Sequence, residues 1–234
     1  MIEINNLHKN FGKVEVLDNV SLTIEDKGIF AILGPNGSGK TTLIKSILGM
    51  VIPQAGEIVI NGNNVKGKWD YRKDIDYLPQ IAQFPDNITV IELLKMIKNL
   101  RGKKANDQEL IDLFKLKPFL DKKLGNLSGG TKQKVNLVLA FMFDSPILIL
   151  DEPTTGLDPI SLIHLKDLIR REKKAGKTIL ITTHIMDFVE TMADEIVFLL
   201  EGDIYFRGTV DELKMKSSLN DLEHAIATIL SENE

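Results

Sequence analysis

The sequence predicts an α/β fold: a mostly parallel core sheet, an antiparallel β segment on its N-terminal side and a helical segment inserted in its middle. Three observations carry this. Continuous apolar runs at 28–33, 147–150, 178–183 and 196–200 are of the kind that parallel strands show when both faces are covered. A glycine-rich loop, 34–42, separates the first of these runs from a stretch with helical spacing, Thr42-Leu43-Ile44-Lys45-Ser46-Ile47-Leu48. From about Thr89 to Met142 the apolar positions recur mostly at helical intervals.

The elements follow in order. Ile2 and Ile4 share one face, as do Val20, Leu22 and Ile24, with Ser21 and Thr23 between them; these read as antiparallel strands. Asn61-Gly62 after Gly56–Ile60 is a hairpin signal. A short strand, Ile75–Leu78, leads into Pro79-Gln80, where the helical segment takes over. Within it, Asn106 followed three residues later by Glu109 predicts a capped helix start. The core resumes at Ile147–Leu150, a helix spans 159–174, and two further buried strands precede a Glu201-Gly202 turn. Strands alternating with helices of this length imply right-handed βαβ crossovers. Thr209 and Glu212 predict another capping box, and Leu219, Leu222, Ile226 and Ile229 mark a closing amphipathic helix. The expected division is a nucleotide-binding core at 1–80 and 145–215, a helical subdomain at about 81–144 and a C-terminal helix at 216–234.

The loop reads Gly34-Pro35-Asn36-Gly37-Ser38-Gly39-Lys40-Thr41-Thr42, a G-x-x-x-x-G-K-T pattern in the strand–loop–helix setting that a phosphate cradle needs. Glycines at 34, 37 and 39 let successive N–H groups turn inward, and the helix that starts there adds the positive end of its dipole. Lys40 supplies a full charge for the β- and γ-phosphates, and Thr41 a hydroxyl for Mg²⁺. The chain is expected to bind a nucleoside triphosphate.

Composition sets bounds. At 234 residues and 43% hydrophobic, the chain is long enough for one large domain with an ample core. A formal charge of −4 argues against broad nucleic-acid binding, which draws on a basic face. With no cysteine, disulfides, zinc fingers and thiol chemistry are excluded. No apolar run approaches the roughly 18–20 residues of a membrane span. Met1-Ile2-Glu3-Ile4 lacks the regions of a signal peptide. A soluble chain is expected, with any membrane role supplied by a partner.

A second site ends the 147–150 run. Asp151 stands where nucleotide hydrolases hold Mg²⁺, and Glu152, one residue on, suits a base that accepts a proton from the attacking water. His184, just past the next buried strand, leaves the same expected sheet edge and can donate a hydrogen bond to the γ-phosphate.

Together these residues resemble the ATP-binding subunits of ABC transporters. The decisive stretch is Leu127-Ser128-Gly129-Gly130-Thr131-Lys132-Gln133, similar to that family's LSGGQ signature, and the likeness runs from Ile2 to about Leu213. The resemblance implies a P-loop NTPase fold of the ABC ATPase type. It implies that Phe11 stacks on adenine, where most members have tyrosine. It also implies that Gln80 senses Mg²⁺ and water and links the core to the helical insertion. By the same resemblance, Ser128, Gly129 and Gly130 grip the γ-phosphate bound to the other subunit, Gly156-Leu157-Asp158 crosses the dimer interface and His184 is the switch histidine. Thr131 departs from the common glutamine. The phosphate contacts of Ser128 and Gly130 are expected to survive the change.

The residues argue for a dimer on their own terms as well. Ser128-Gly129-Gly130 precedes a helix, so the chain owns two half-sites of different kinds. Two copies placed head to tail would complete two whole sites, each with an ATP buried between partners. Transport through integral membrane permease subunits, with the chain peripheral on the cytoplasmic face of the membrane, is then the expected role. The compact single cassette resembles the separate-subunit ATPases of ABC-2-type exporters. Among these, LSGGTKQK, Trp69-Asp70-Tyr71-Arg72 and Tyr77-Leu78-Pro79-Gln80 are similar to the NosF type. The alternatives are a non-transport ABC ATPase acting on DNA or ribosomes, and a small-molecule kinase sharing only the phosphate loop. Sustained heptads and a second cassette, which mark the former, are missing from this sequence, and the signature and His184 argue against the latter.

Overall fold

A computed structural model describes residues 1–217 and 221–232. Leu219, expected in the closing helix, lies outside the described residues. The chain divides into two units, 1–71 with 178–234, and 72–177.

In the first unit, β1 (Ile2–Phe11), β2 (Val14–Ile24), β3 (Gly28–Leu33), α1 (Lys40–Ile47), β4 (Ala55–Ile60) and β5 (Asn63–Asn64) follow in order. The second unit holds β6 (Ile75–Leu78), α2 (Val90–Arg101), α3 (Asp107–Leu113), α4 (Gly129–Phe141), β7 (Ile147–Asp151) and α5 (Pro159–Lys174). The chain then returns to the first unit with β8 (Thr178–Thr182), α6 (Met186–Met192), β9 (Glu195–Leu200), β10 (Asp203–Gly208), α7 (Val210–Ser217) and α8 (Leu222–Glu232).

The first unit contains both kinds of sheet that the patterning predicted. The alternating N-terminal strands form an antiparallel sheet in the order β2-β1-β4-β5, with Ile2 opposite both Ile24 and Ile60. Asn61 and Gly62, at φ of 50° and 74°, make the expected turn into β5, because two successive left-handed residues match the twist of a hairpin. The apolar runs instead form parallel pairs. β3 lies between β8 and β9, with Ile32 opposite both Thr182 and Val197. β10 closes that edge antiparallel to β9 through Glu201 and Gly202, both at positive φ. Every residue of β3 and of β8 is buried, as continuous apolar strands require. One face of this sheet is covered by α6, α7 and α8 around Ala31, Leu33, Val189, Phe198, Leu213, Leu222, Ile226 and Ile229.

In the second unit β6 and β7 pair in parallel, Ile75 with Ile147 through Leu78 with Leu150, and α4 packs against β6, α2 and α3. The helical character of 89–142 is borne out, but its caps differ from expectation. Asn106 caps α3 only by position. Its amide N–H donates to the Glu109 carboxylate while its oxygen accepts from no helix N–H, and that carboxylate is also held by Arg171. The full capping box lies at Thr89 and Glu92, which start α2. The box at Thr209 and Glu212 forms as expected.

One ionic contact fixes β6 from inside this unit. Asp76, 5% exposed, is paired with Arg101 at the end of α2, and the same guanidinium donates to Ser145 Oγ at 3.1 Å and to the Arg72 carbonyl at 3.1 Å. Burial raises the Asp76 carboxyl above its ordinary 3.8, with Arg101 acting against that rise. Arg101→Met is therefore expected to cost about 3–5 kcal/mol of unfolding free energy, because it leaves a buried carboxylate without its cation. A carboxyl whose folded-state pKa is raised contributes stability at low pH and loses it as pH climbs through that raised value. Without Arg101 the rise is larger. Urea denaturation should show the deficit of the variant small near pH 4 and growing toward pH 7. A deficit equal at both ends would place the cost elsewhere than Asp76.

Candidate functional site

In the first unit the phosphate loop has the geometry of an anion cradle. Gly34, Gly37 and Gly39 stand at φ of 146°, 86° and 102°. At Gly34 a Cβ would lie 2.2 Å from the Leu199 carbonyl oxygen and 2.5 Å from Ser38 Oγ; at Gly39 it would lie 2.7 Å from the Val16 carbonyl oxygen. The loop is thus wedged between β9 and β2, and only glycine fits both positions. Gly39 caps α1 in the left-handed conformation with no side chain to accept from the first helical N–H groups, so those donors face the loop mouth. Lys40 reaches back across the loop, Nζ donating to the carbonyls of Gly34 at 2.7 Å and Pro35 at 2.9 Å. Ser38 Oγ is buried and has no hydrogen-bond partner among the described residues. A buried hydroxyl without a partner is costly unless a ligand supplies one. A phosphate fits this cradle.

His184 and Phe11 belong to the same unit. β8 runs parallel to β3, so His184, two residues beyond its end, leaves the carboxyl edge from which the phosphate loop also leaves. Thr183 Oγ1 accepts from the Ile185 N–H at 3.2 Å and turns the chain there, leaving His184 exposed. Phe11 ends β1 opposite Val14, 51% exposed, with Lys9 Nζ 4.9 Å from its ring centroid. An aromatic face held at the surface by a tight β1–β2 turn is available for stacking.

In the second unit Asp151 ends β7 at 2% exposure, and Glu152 follows at 7% with φ of 50°. For a residue with a Cβ this left-handed conformation is strained, and such strain persists where the surroundings fix it. The Thr155 N–H donates to the Glu152 carbonyl at 3.3 Å and closes the turn. Leu78 of β6 lies opposite Leu150 of β7, so Gln80 and Glu152 leave the same end of that strand pair, each two residues on. Burial, and secondarily the Asp151 carboxylate, push the Tyr77 hydroxyl up to about 12, so it stays protonated beside that carboxylate.

Ser128 is the N-cap of α4. Its Oγ accepts from the Thr131 N–H at 3.3 Å and lies 2.9 Å from Thr131 Oγ1, while Gly129 and Gly130 form the first turn. The threonine that departs from the family pattern therefore ties the serine hydroxyl. Asp158 caps α5, accepting from the Ser161 N–H at 2.9 Å and pairing with Lys134 of α4 at 2.7 Å; the lysine first, then that backbone bond, hold its carboxyl well below the usual carboxylate range. The structure thus groups the candidate residues within each unit: loop, Phe11 and His184 in one, and Gln80, Ser128–Gly130, Asp151 and Glu152 in the other.

Two residues escaped the sequence reading. Gln133 and Asn136 are buried side-chain amides on α4, and each donates to a backbone carbonyl beside a candidate site residue: Pro153 next to Glu152, and Pro79 next to Gln80. The signal available was Asn136 interrupting an otherwise apolar stretch, Val135-Asn136-Leu137-Val138; Gln133, between Lys132 and Lys134, gave none.

Comparison with known proteins identifies the family and the fold. The family model described as ABC transporter matches residues 17–155. The chain is 36% identical over 207 residues to Nod factor export ATP-binding protein I of Burkholderia lata, covering 86% of this chain and 68% of that one. It is 33% identical over 223 residues to the lantibiotic transport ATP-binding protein SrtF of Streptococcus pyogenes, covering 90% and 92%. A solved ATP-binding subunit of an ABC transporter superposes with a TM-score of 0.91 at 30% identity, covering 98% of this chain and 99% of that one. A dimeric ATP-binding cassette in a post-hydrolysis state, bound to ADP and Pi, superposes with a TM-score of 0.78 at 26% identity, covering 89% and 98%. Among the described residues no helix is long and apolar enough to cross a membrane. A phosphate loop, a glycine-rich helix start and a buried acidic strand end in this order along the chain, with matches of this extent, show that the chain belongs to the ABC transporter family and is an ATPase, forming its ATP-binding domain.

Proposed function

We propose that two copies of this chain, arranged head to tail, bind two ATP molecules between them and hydrolyse them with Mg²⁺. The cycle would drive export through separate integral membrane subunits. The observation that supports this reading is the presence on one chain of two unlike helix starts, each suited to an anion: the lysine-bearing loop before α1 and the serine-capped turn of α4. A nucleotide held by the first leaves its γ-phosphate free for the second of a partner copy, which makes binding close the dimer and hydrolysis release it.

The residue roles follow. Gly34 to Thr42 hold the phosphates, with Lys40 on the β- and γ-oxygens. The exposed face of Phe11 stacks on adenine. As ligands that would hold Mg²⁺, directly or through water, Thr41 in the first unit offers a hydroxyl, and Asp151 and Gln80 in the second offer a carboxylate and an amide oxygen, the donors a hard cation suits. Bound there, Mg²⁺ would neutralise charge on the phosphates. Glu152 accepts the proton of the attacking water, and His184 donates to the γ-phosphate. Ser128, Gly129 and Gly130 close the site from the partner copy.

The export reading draws on relatives named for Nod factor export and lantibiotic transport. It places the chain on the cytoplasmic face of the membrane, held there by its membrane partner. A role on DNA or ribosomes finds less support in a formal charge of −4. The experiment that separates the two is a crosslinking pull-down of tagged Glu152→Gln chain from its native cells in the presence of ATP. Capture of a polytopic membrane protein is expected, and that protein would identify the cargo class. Capture of ribosomal or DNA-associated proteins alone would overturn the transport reading and leave the chemistry at Lys40, Asp151 and Glu152 as it stands.

A further inference from the structure

One face of α4 makes three contacts, at every third residue. Gly130 lies against the loop after Glu152, so closely that a Cβ would sit 2.9 Å from the Gly156 carbonyl oxygen. Gln133 donates from Nε2 to the Pro153 carbonyl at 3.3 Å, and Asn136 donates from Nδ2 to the Pro79 carbonyl at 3.1 Å. Residues three apart lie on neighbouring positions of one helix face, so one rigid element contacts two loops at once, the one after Glu152 at two points and the one that carries Gln80 at a third.

The choice of side chains matters. Gln133 and Asn136 are 8% and 3% exposed, in a helix whose other buried positions are Val135, Leu137, Val138, Ala140 and Phe141. Packing alone would favour apolar residues there. A buried amide costs free energy unless it is paired, and a paired one specifies its partner's position. Pro153 directly follows Glu152, whose left-handed backbone needs an outside constraint to persist. The Pro79 carbonyl belongs to the peptide that carries the Gln80 N–H, so pinning it sets the direction in which Gln80 leaves β6. The same helix begins at the Ser128 cap, about one to two turns before Gln133 and Asn136.

We propose that Gln133 and Asn136 are positioning residues that tie the Ser128 end of α4 to Glu152 and to Gln80. A displacement of α4 by phosphate at Ser128 then reorients the base and the metal-sensing glutamine of the same chain together. The proposal rests on the roles read above for Glu152, Gln80 and Ser128. It gives each chain a way to match its own hydrolytic geometry to the nucleotide held by its partner.

The test is steady-state ATPase kinetics of Gln133→Met and Asn136→Leu, which keep size and remove the donor. Each is expected to lower kcat by about 10- to 100-fold, since misplacing a reacting group by about 1 Å has that cost. The KM for ATP should stay within about threefold, because neither residue belongs to the phosphate loop. The Asn136 variant alone should also raise the Mg²⁺ concentration for half-maximal activity, an asymmetry that a purely structural defect would not produce. If either variant fails to fold, Asn136→Ser and Gln133→Ala leave the carbonyls equally unreached and carry the same expectations. Wild-type kcat in folded variants overturns the proposal, and so does a loss of kcat that only follows loss of folded protein. Glu152→Gln run alongside separates the two levels of failure. If it still turns over, the assigned base is wrong. If it stops while the α4 variants run at full rate, only the positioning proposal falls.

Discussion

Glu152→Gln is expected to bind ATP with near-native affinity and to hydrolyse it about 10²–10⁴ times more slowly, the usual contribution of a positioned general base. The substitution keeps the shape of the side chain and the strained backbone around it, and it removes only the capacity to accept a proton. Glu152 is 7% exposed, at the turn closed by the Thr155 N–H. An amide there introduces no new volume and places no new charge in a buried site, so thermal stability should not fall. With hydrolysis stopped and binding kept, the ATP-bound state accumulates. Light scattering should then show the molar mass doubling as ATP is added to the variant. A monomer at saturating ATP would count against the sandwich even if the rate fell as expected. A normal rate would remove Glu152 from the chemistry.

What the sequence made legible, and what it did not, divides along the range of the interactions. The phosphate loop is local: strand, glycines, lysine and helix lie within about 20 residues of one another, and the cradle formed where the pattern placed it. Buried parallel strands were legible because continuous apolar runs such as Ile147–Leu150 have few other uses in a chain of this length. The hairpin at Asn61-Gly62 was legible because the turn chemistry is contained in the two residues.

Long-range partners were not. Asn106 and Glu109 have the spacing of a capping box. Arg171, 62 residues from Glu109 in sequence, competes for that carboxylate, and the reciprocal cap does not form. The left-handed backbone of Glu152 had no signal, since the residue is not glycine or asparagine and its conformation is imposed from outside. Gln133 and Asn136 find acceptors 20 and 57 residues away, a pairing that helical periodicity cannot name. The site's composition was therefore readable from one chain, while the contacts that orient it needed the fold.

Lys40→Ala is expected to weaken ATP binding itself by about 10- to 150-fold, the equivalent of one lost charge-assisted hydrogen bond of roughly 1.5–3 kcal/mol. Lys40 now bridges the Gly34 and Pro35 carbonyls, so the loop is already drawn around the place where phosphate would sit. Its ammonium would exchange those two neutral acceptors for anionic oxygens, and alanine offers neither. Calorimetry in the absence of turnover measures the loss directly, and unchanged affinity would contradict the assigned contact. The same variant tests the head-to-tail arrangement. A chain with Lys40→Ala lacks a working loop and keeps its Ser128 turn; a chain with Ser128→Arg has the reverse defect. Each alone should be inactive. Mixed in equal amounts they form mixed dimers in which one loop and one turn of native sequence face each other, restoring about a quarter of the sites. Recovery of ATPase activity on mixing follows only if each site is built from both chains. If mixing restores nothing although ATP still drives the two variants into mixed dimers, each chain must complete its own site, and the second helix start at Ser128 would need another ligand.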